Sequence, residues 1–182
     1  MTDRELLDRL RQGDREAFDA AFRAHYATLV GVAERIAGER AVAEELAQDV
    51  MLELWRRHET LVIDESLRAY LVRAVRNRAL NHVRHERMKV RTAPRAAGET
   101  VSQPEAPSNV VEAEMEAALR DAVASLPERC REVFELSRGQ GLRYAEIAAA
   151  LGISVKTVEA QMGKALRVLR ERLAPFLPGR EA

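Results

Sequence analysis

The sequence has little of what disulfide-bonded, β-rich or membrane-spanning proteins need. Its 182 residues include one cysteine, Cys130, and aromatic residues make up only 4%. A single cysteine excludes an internal disulfide and a metal cage of thiolates, and it fits a reducing, cytoplasmic compartment. Because β-branched runs are scarce, an all-β fold is excluded and a parallel α/β sheet is disfavoured. No run approaches the ~20 apolar residues of a membrane span, so we expect no membrane insertion.

The abundant residues, Ala, Leu, Glu and Arg, are strong helix formers. Apolar residues recur every three or four positions in two blocks, which are separated by a Pro-, Gly- and Ser-containing stretch without such a period. We therefore predict an all-α fold with two small helical domains, residues 1–87 and 112–175. A flexible linker over 88–111 joins them, and a tail follows at 176–182.

Charge is distributed unevenly, although 29 basic and 29 acidic residues leave no net charge. Residues 67–91 carry eight basic residues against one acidic, and residues 136–182 carry eight against four. The rest of the chain is acidic. Two basic blocks in an otherwise acidic chain predict two nucleic-acid contacts on a protein that avoids non-specific binding.

Residues 144–173 have the layout of a helix-turn-helix. A helix from Tyr144 to Leu151 precedes Gly152, which suits a left-handed turn, and Ser154 can cap a second helix from Val155 to Leu173. The polar face of the second helix combines small residues with hydrogen-bond donors, as a helix in the DNA major groove requires. The predicted DNA contacts are Ser154, Lys156, Thr157, Glu159, Ala160, Lys164 and Arg167. Of these, we assign Lys156 and Arg167 to phosphates, and Glu159 and Lys164 to bases.

A helix predicted from about Leu67 to Arg87 carries a cationic stripe opposite its apolar face. Arg73, Arg76, Asn77, Arg84 and Arg87 fall within about 100° of one another on a helical wheel. Such a stripe can follow a phosphate backbone. Arg78 falls on the apolar side of the wheel, where the pattern gives it no role.

A helix predicted from about Ala41 to Arg57 resembles a partner-binding surface. Its acidic residues lie near the apolar residues of its second half. Trp55, the single tryptophan, is either a core residue or an interface anchor, and the sequence leaves both open.

Together these segments resemble the extracytoplasmic-function (ECF) group of bacterial RNA polymerase sigma factors, over about residues 5–175. Residues 43–55, AEELAQDVMLELW, are similar to the family's core-polymerase-binding segment. Residues 67–71 and 76–81, followed by Arg84, are similar to its promoter-melting helix, which reads the −10 element. Residues 126–129 and 144–148 resemble the opening of its −35-binding domain. Leu67, Tyr70 and Asn81 depart from the family, which often has Phe, Trp and Asp there.

The resemblance implies a sigma-70 superfamily initiation factor that binds the β and β′ subunits of core RNA polymerase and directs the enzyme to promoters. It implies an anti-sigma factor as regulator, no catalytic activity, no metal and no cofactor. The 58–66 loop would take up an unpaired base beside the −10-reading helix. The implied polymerase contacts are Glu45, Asp49, Val50, Glu53, Leu54 and Trp55. The implied −10 contacts are Tyr70, Arg73, Arg76, Asn77, Asn81 and Arg84.

Two other classes of protein compete with this interpretation. A stand-alone helix-turn-helix regulator is the alternative, because residues 152–158 are also similar to response-regulator sequences. It would need a ligand or phosphoacceptor pocket within residues 1–87, and no pattern there indicates one. An enzyme is disfavoured, since the four histidines lack metal-ligand spacing and no glycine-rich phosphate loop is present.

Overall fold

The computed structural model describes residues 3–64, 66–92 and 110–176. These ranges contain α-helices and no strand, which confirms the predicted all-α fold. The α-helices are α1 (Asp3–Arg11), α2 (Arg15–Ala37), α3 (Arg40–Arg56), α4 (Leu67–Thr92), α5 (Val110–Ala124), α6 (Glu128–Phe134), α7 (Tyr144–Leu151) and α8 (Val155–Leu173). None of these described helices is long and apolar enough to cross a membrane.

The chain divides into two compact units. Helices α1 to α4 build the first unit, in which α2 packs against α1, α3 and α4, and α3 also packs against α4. Its interior holds large aliphatic side chains from all four helices. Those buried most completely include Leu10, Leu29, Met51, Leu54, Leu67 and Leu71. Burial of these apolar faces is the main force that holds the unit together.

Local signals in the sequence set the ends of α2 and the start of α4. Asp14 caps α2, because its carboxylate accepts hydrogen bonds from the backbone N–H groups of Glu16 and Ala17 at 2.9 and 3.3 Å. Gly38 ends that helix in the left-handed conformation, with φ +80°. At α4, the Ser66 hydroxyl accepts from the Ala69 N–H at 3.1 Å.

The connection between α3 and α4 is anchored on the turn between α1 and α2. Gly13 has φ +73°, and a Cβ there would lie 3.2 Å from His58 Nε2, at the start of a 3₁₀ turn over His58–Thr60. The Arg11 guanidinium donates to the Leu61 carbonyl at 3.1 Å. These contacts fix the entry to the loop that precedes α4.

Helix α8 is central in the second unit and packs against both α5 and α6. A core cluster joins these helices and consists of Ala122, Leu126, Cys130, Ala165 and Leu169. The buried Cys130 thiol also donates a hydrogen bond to Gln161 Oε1 at 2.9 Å, which links α6 to α8. Cys130, which no sequence pattern explains, is therefore a packing residue.

Helix α6 is short and passes at Phe134 into a π-helical turn over Glu135–Gly139. The Gln140 N–H donates to the Glu135 carbonyl at 3.0 Å, which closes the wider turn. Helix α7 then begins behind Arg143, whose backbone N–H donates to Glu146 Oε2 at 2.8 Å. Glu146 is only 7% exposed and satisfies this orphan donor as the glutamate of a capping box does.

Helices α4 and α5 extend into the two ends of the segment that the sequence predicts as a linker. Helix α4 continues to Thr92, and α5 begins at Val110, so residues 88–92 and 110–111 are helical. Near the end of the described part of α4, the Lys89 ammonium lies 2.8 Å from Glu86 Oε1. The remaining linker residues, 93–109, and residues 177–182 of the predicted tail lie outside the described residues.

Candidate nucleic-acid and protein interfaces

The exposed face of α8 contains every residue that the sequence assigns to DNA on this helix. Gly152 takes φ +66°, as predicted for the turn, and the Ser154 hydroxyl accepts from the Thr157 N–H at 3.1 Å. The opposite face is buried and consists of Val158, Met162, Ala165 and Leu169. The exposed residues include Ser154, Lys156, Thr157, Glu159, Ala160, Gly163, Lys164 and Arg167. Lys156 and Arg167 lie about 16 Å apart along the axis, at ~1.5 Å per residue.

Sequence reasoning missed one exposed residue at this end of α8. Val155 is the first residue of the helix, and 42% of its surface is exposed. The sequence could have indicated this residue, because an apolar, β-branched valine stands there between two polar residues, Ser154 and Lys156.

The residues of α4 that are predicted to contact the −10 element lie along one side of the helix and differ in burial. Asn77, Asn81 and Arg84 are exposed. Tyr70, Arg73 and Arg76 are half-buried nearer the body of the unit, opposite the buried side chains of Leu71, Val75 and Ala79. Arg84 Nη1 lies 3.4 Å from Asn81 Oδ1, so two of these side chains support each other.

The loop before α4 combines a fixed base with an exposed apolar tip. Leu61 is buried, whereas Val62 is 76% exposed. The exposed Asp64 follows, and Glu65 lies outside the described residues. An exposed apolar side chain beside a cationic helix can pack against an unstacked base.

The residues predicted to contact polymerase on α3 divide into surface and interior positions. Glu45 and Asp49 are exposed, and Glu53 is half-buried and ion-paired with Arg57. Val50 and Leu54 are 2% and 1% exposed, so they support this surface from inside instead of forming it. Both residues lie on the apolar side of α3, and this helix packs against α2 and α4.

The exposed face of α3 contains an apolar residue that the sequence analysis did not select. Leu52 is 50% exposed and lies three positions after Asp49, on the same helical face as Glu45 and Gln48. Counting the i, i+3, i+4 and i+7 positions from Glu45 would have found it.

Trp55 is half-buried and lies between two other rings, Phe18 of α2 and His58. Its ring centroid lies 5.2 Å from that of Phe18, with the two planes tilted by 59°, and 5.0 Å from that of His58, whose plane is nearly parallel to it. The Trp55 carbonyl also lies 2.6 Å from His58 Nδ1. Trp55 therefore packs within its unit while part of its surface stays accessible.

Arg78, which the helical wheel left without a role, reaches from α4 to α3. Its Nη1 lies 3.8 Å from Asp49 Oδ2. This ion pair therefore joins α4, which carries the predicted −10 contacts, to α3, which carries the predicted polymerase contacts. Across the described ranges, no three metal-ligating side chains come close enough together to hold an ion.

The chain matches two family models, Sigma-70 region 2 over residues 21–88 and Sigma-70 region 4 over residues 116–169. It is similar to RNA polymerase sigma-H factor of Pseudomonas aeruginosa, with 26% identity over 184 aligned residues that cover 96% of this chain and 95% of that protein. ECF RNA polymerase sigma factor SigL of Mycobacterium tuberculosis is 32% identical over 158 residues, which cover 83% of this chain and 85% of that protein.

A solved structure shares the fold. It is the sigma factor RpoE in complex with the anti-sigma factor NepR from Bartonella quintana, with a TM-score of 0.66 and 22% identity over 86% of this chain and 96% of that chain. The helices, the two matched regions and the relatives agree with one another, and the chain belongs to the ECF group of the sigma-70 family of RNA polymerase sigma factors.

Proposed function

We propose that this promoter-recognising initiation factor divides its work between its two units. The first unit binds core RNA polymerase through α3, and reads and melts the −10 element with α4 and the 58–66 loop. The second unit reads the −35 element with α8. The observation that carries this proposal is the continuous exposed face of α8, since every side chain that the sequence assigned to DNA lies on it.

The polymerase contact centres on the exposed face of α3, where Glu45, Asp49 and Leu52 lie together. Leu52 supplies the apolar contact and the two carboxylates supply charge that steers association. Val50 and Leu54 hold this helix against the unit from inside, and Trp55 fixes its C-terminal end. The polymerase partners are the β and β′ subunits.

At the −10 element, the stripe on α4 holds the backbone of the opened strand while the loop takes up a base. Extruding a base costs a few kcal/mol of stacking. Contacts to the freed strand offset that cost, because Arg84 can pair with phosphate and the exposed Val62 can pack against the base. Tyr70, half-buried at the start of the stripe, adds an aromatic surface next to the loop.

At the −35 element, α8 enters the major groove with its N-terminal end. Lys156 and Arg167 hold phosphates, whereas Glu159 and Lys164 contact base edges. The small side chains of Ala160 and Gly163 let the helix backbone approach the bases.

The chain has no catalytic role of its own in this proposal, and it acts in the cytoplasm together with polymerase. Its regulator is an anti-sigma factor. The structural relative RpoE binds such a protein, NepR, which makes the same kind of partner reasonable here.

In vitro transcription with core polymerase on a randomised promoter library tests the proposal. The chain should select promoters with defined −10 and −35 elements, and Glu159→Ala and Lys164→Ala holoenzymes should each relax preference at one −35 position by roughly 1–3 kcal/mol. Arg120→Ala, an exposed charge change on α5, is the matched control and should leave the selected sequences unchanged. Nanomolar, sequence-specific binding by the free protein at physiological salt would instead favour the stand-alone regulator.

A further inference from the structure

Val155 is an exposed apolar side chain at the otherwise polar N-terminal end of α8. It is 42% exposed, and Ser154, Lys156 and Thr157 around it are exposed and polar. A partly exposed valine gains only part of the free energy that full burial would supply, and a β-branched residue also favours helix less than Ala, Glu or Lys would at this position. Val155 precedes the buried Val158 and Met162 by three and seven positions, so it borders the buried face of α8 while 42% of its surface stays exposed.

Other residues already do the structural work at this helix start. The Ser154 hydroxyl caps the helix by accepting from the Thr157 N–H, and the Thr157 hydroxyl lies 2.8 Å from the Ser154 hydroxyl. The two positions that form a hydrophobic staple around an N-cap are occupied by Ile153 and the fully buried Val158. Val155 belongs neither to the cap nor to the staple, so the exposed part of its side chain is accessible to a binding partner.

The cap also makes Val155 a rigid contact. Its backbone is fixed by the hydrogen bonds on either side, and a β-branched side chain in a helix has one strongly preferred χ1 rotamer. Binding such a side chain costs little conformational entropy, which favours a small and specific contact.

We propose that Val155 reads the C5-methyl group of a thymine in the −35 element. The proposal rests on the proposed role of α8 in the major groove. In that groove the edges of the bases present donors, acceptors and the thymine methyl, which is the apolar group available to valine. The N-terminal residues of a recognition helix are those that reach base edges, and Val155 is the first residue of α8.

Removing single methyl groups from the DNA and from the protein tests this contact. The wild-type holoenzyme first selects its preferred −35 sequences from a randomised promoter library. Each thymine of the selected element, on either strand, is then replaced by deoxyuridine, which lacks only the methyl group. At one position we expect uracil to weaken the wild-type promoter complex about fourfold, as burial of one methyl predicts. The Val155→Ala holoenzyme should bind the thymine and uracil promoters equally.

Two further variants separate this contact from a general loss of binding. Val155→Thr keeps one γ-methyl and should retain part of the thymine preference, whereas Lys156→Ala should weaken the thymine and uracil promoters by the same factor. Equal uracil sensitivity of wild type and Val155→Ala at every position would overturn the proposal, and so would a selected element without thymine. If the wild-type holoenzyme selects no −35 sequence at all, the role of α8 is wrong together with that of Val155.

Discussion

The guanidinium of Arg78 on α4 faces the carboxylate of Asp49 on α3, with 3.8 Å between Nη1 and Oδ2. The two side chains are 39% and 53% exposed, so water and salt screen the pair, and it contributes between about 0 and 1 kcal/mol to stability. Asp49 therefore remains accessible to a partner while it is oriented from within the unit.

This geometry predicts different effects for the two members of the pair. Asp49→Ala should weaken binding to core polymerase by ~1 kcal/mol or more, because a contact at the centre of an interface is lost. Arg78→Ala should leave core affinity nearly unchanged, since the carboxylate remains. Affinity measurements on both single variants and on the double variant decide the matter. If both single variants and the double variant lose the same core affinity, Asp49 acts only through its ion pair with Arg78.

Leu52 and Trp55 are predicted to separate binding from stability on the same helix. Leu52→Ala should change the free energy of unfolding by less than about 0.5 kcal/mol, because the side chain is half exposed, yet it should lower core affinity. Trp55→Ala should destabilise the first unit by ~2 kcal/mol, since it removes the tilted ring contact with Phe18 and the stacked contact with His58. Urea unfolding followed by circular dichroism, together with core-binding titrations, measures both effects. If the Leu52→Ala variant kept full affinity for core polymerase, the assignment of this face of α3 to the interface would be wrong.

Arg84 should matter for opening the promoter and much less once the promoter is open. Arg84→Ala should slow open-complex formation on duplex promoters, because a phosphate contact to the freed strand is missing. A template that is already mismatched over the −10 region should relieve most of this defect. Arg23→Ala, an exposed arginine on α2 away from the stripe, is the charge-matched control and should open promoters at the wild-type rate. An equally large Arg84→Ala defect on the mismatched template would point to simple anchoring instead.

Gly13 and Gly38, two left-handed glycines that flank α2, should differ in what an added methyl group costs. Gly13→Ala and Gly38→Ala both force alanine into positive φ, at a cost of about 1–2 kcal/mol. At Gly13 the new Cβ also lies 3.2 Å from His58 Nε2, whereas nothing lies within 4 Å at Gly38. Gly13→Ala should therefore be the more destabilising. Urea unfolding followed by the fluorescence of the single tryptophan, which reports on this unit, measures the difference. If both variants lose the same free energy of unfolding, the His58 side chain moves away from the new Cβ at no measurable cost.

Asp14 should make the first unit more sensitive to acid. The hydrogen bond from Arg9, at 2.6 Å, and the N–H groups of Ala17 and Glu16 hold the pKa of Asp14 below its ordinary value. A lowered folded-state pKa stabilises the fold above the pKa of the unfolded chain, and this contribution is lost as the pH falls through the folded-state value. Asp14→Asn keeps a good N-cap without the charge.

The wild-type chain should therefore be more stable than Asp14→Asn near neutral pH, and the gap should close as the pH falls below about 4. Tryptophan-monitored urea midpoints across this range give the comparison. Added salt should narrow the gap at neutral pH, because Arg9 is 42% exposed and its charge is screened. A gap that does not depend on pH would mean that the carboxylate charge contributes nothing.

Local signals explain why the sequence predicts the helix-turn-helix so closely. Helices α7 and α8 begin and end at the predicted residues because Gly152 and Ser154 mark the turn and the cap within the sequence itself. The helix before them is harder to predict, since no residue type marks a π-helical turn. The capping role of Glu146 is also difficult to predict from the sequence. A capping box is normally recognised by Ser or Thr at the N-cap, and here Arg143 occupies that position.

Contacts between helices account for most of what the sequence does not predict. The role of Arg78 depends on which face of α3 lies beside α4, and a helical wheel of α4 alone contains no such information. Val50 and Leu54 were assigned to the polymerase surface because they lie within a similar family segment, yet the packing of α3 buries them. Leu52 could have been found from the wheel of α3 once the buried side was known.

The π-helical turn between α6 and α7 has a consequence for chain length. Because its backbone bond runs from the Gln140 N–H to the Glu135 carbonyl, the turn holds one residue more than an α-helical turn. Loss of one residue between Glu135 and Gly139 could be absorbed by tightening this turn to an α-turn. Among sigma factors of this fold, the segment just before the helix-turn-helix is therefore a place where single-residue deletions should be tolerated, while the exposed residues of α8 keep their spacing.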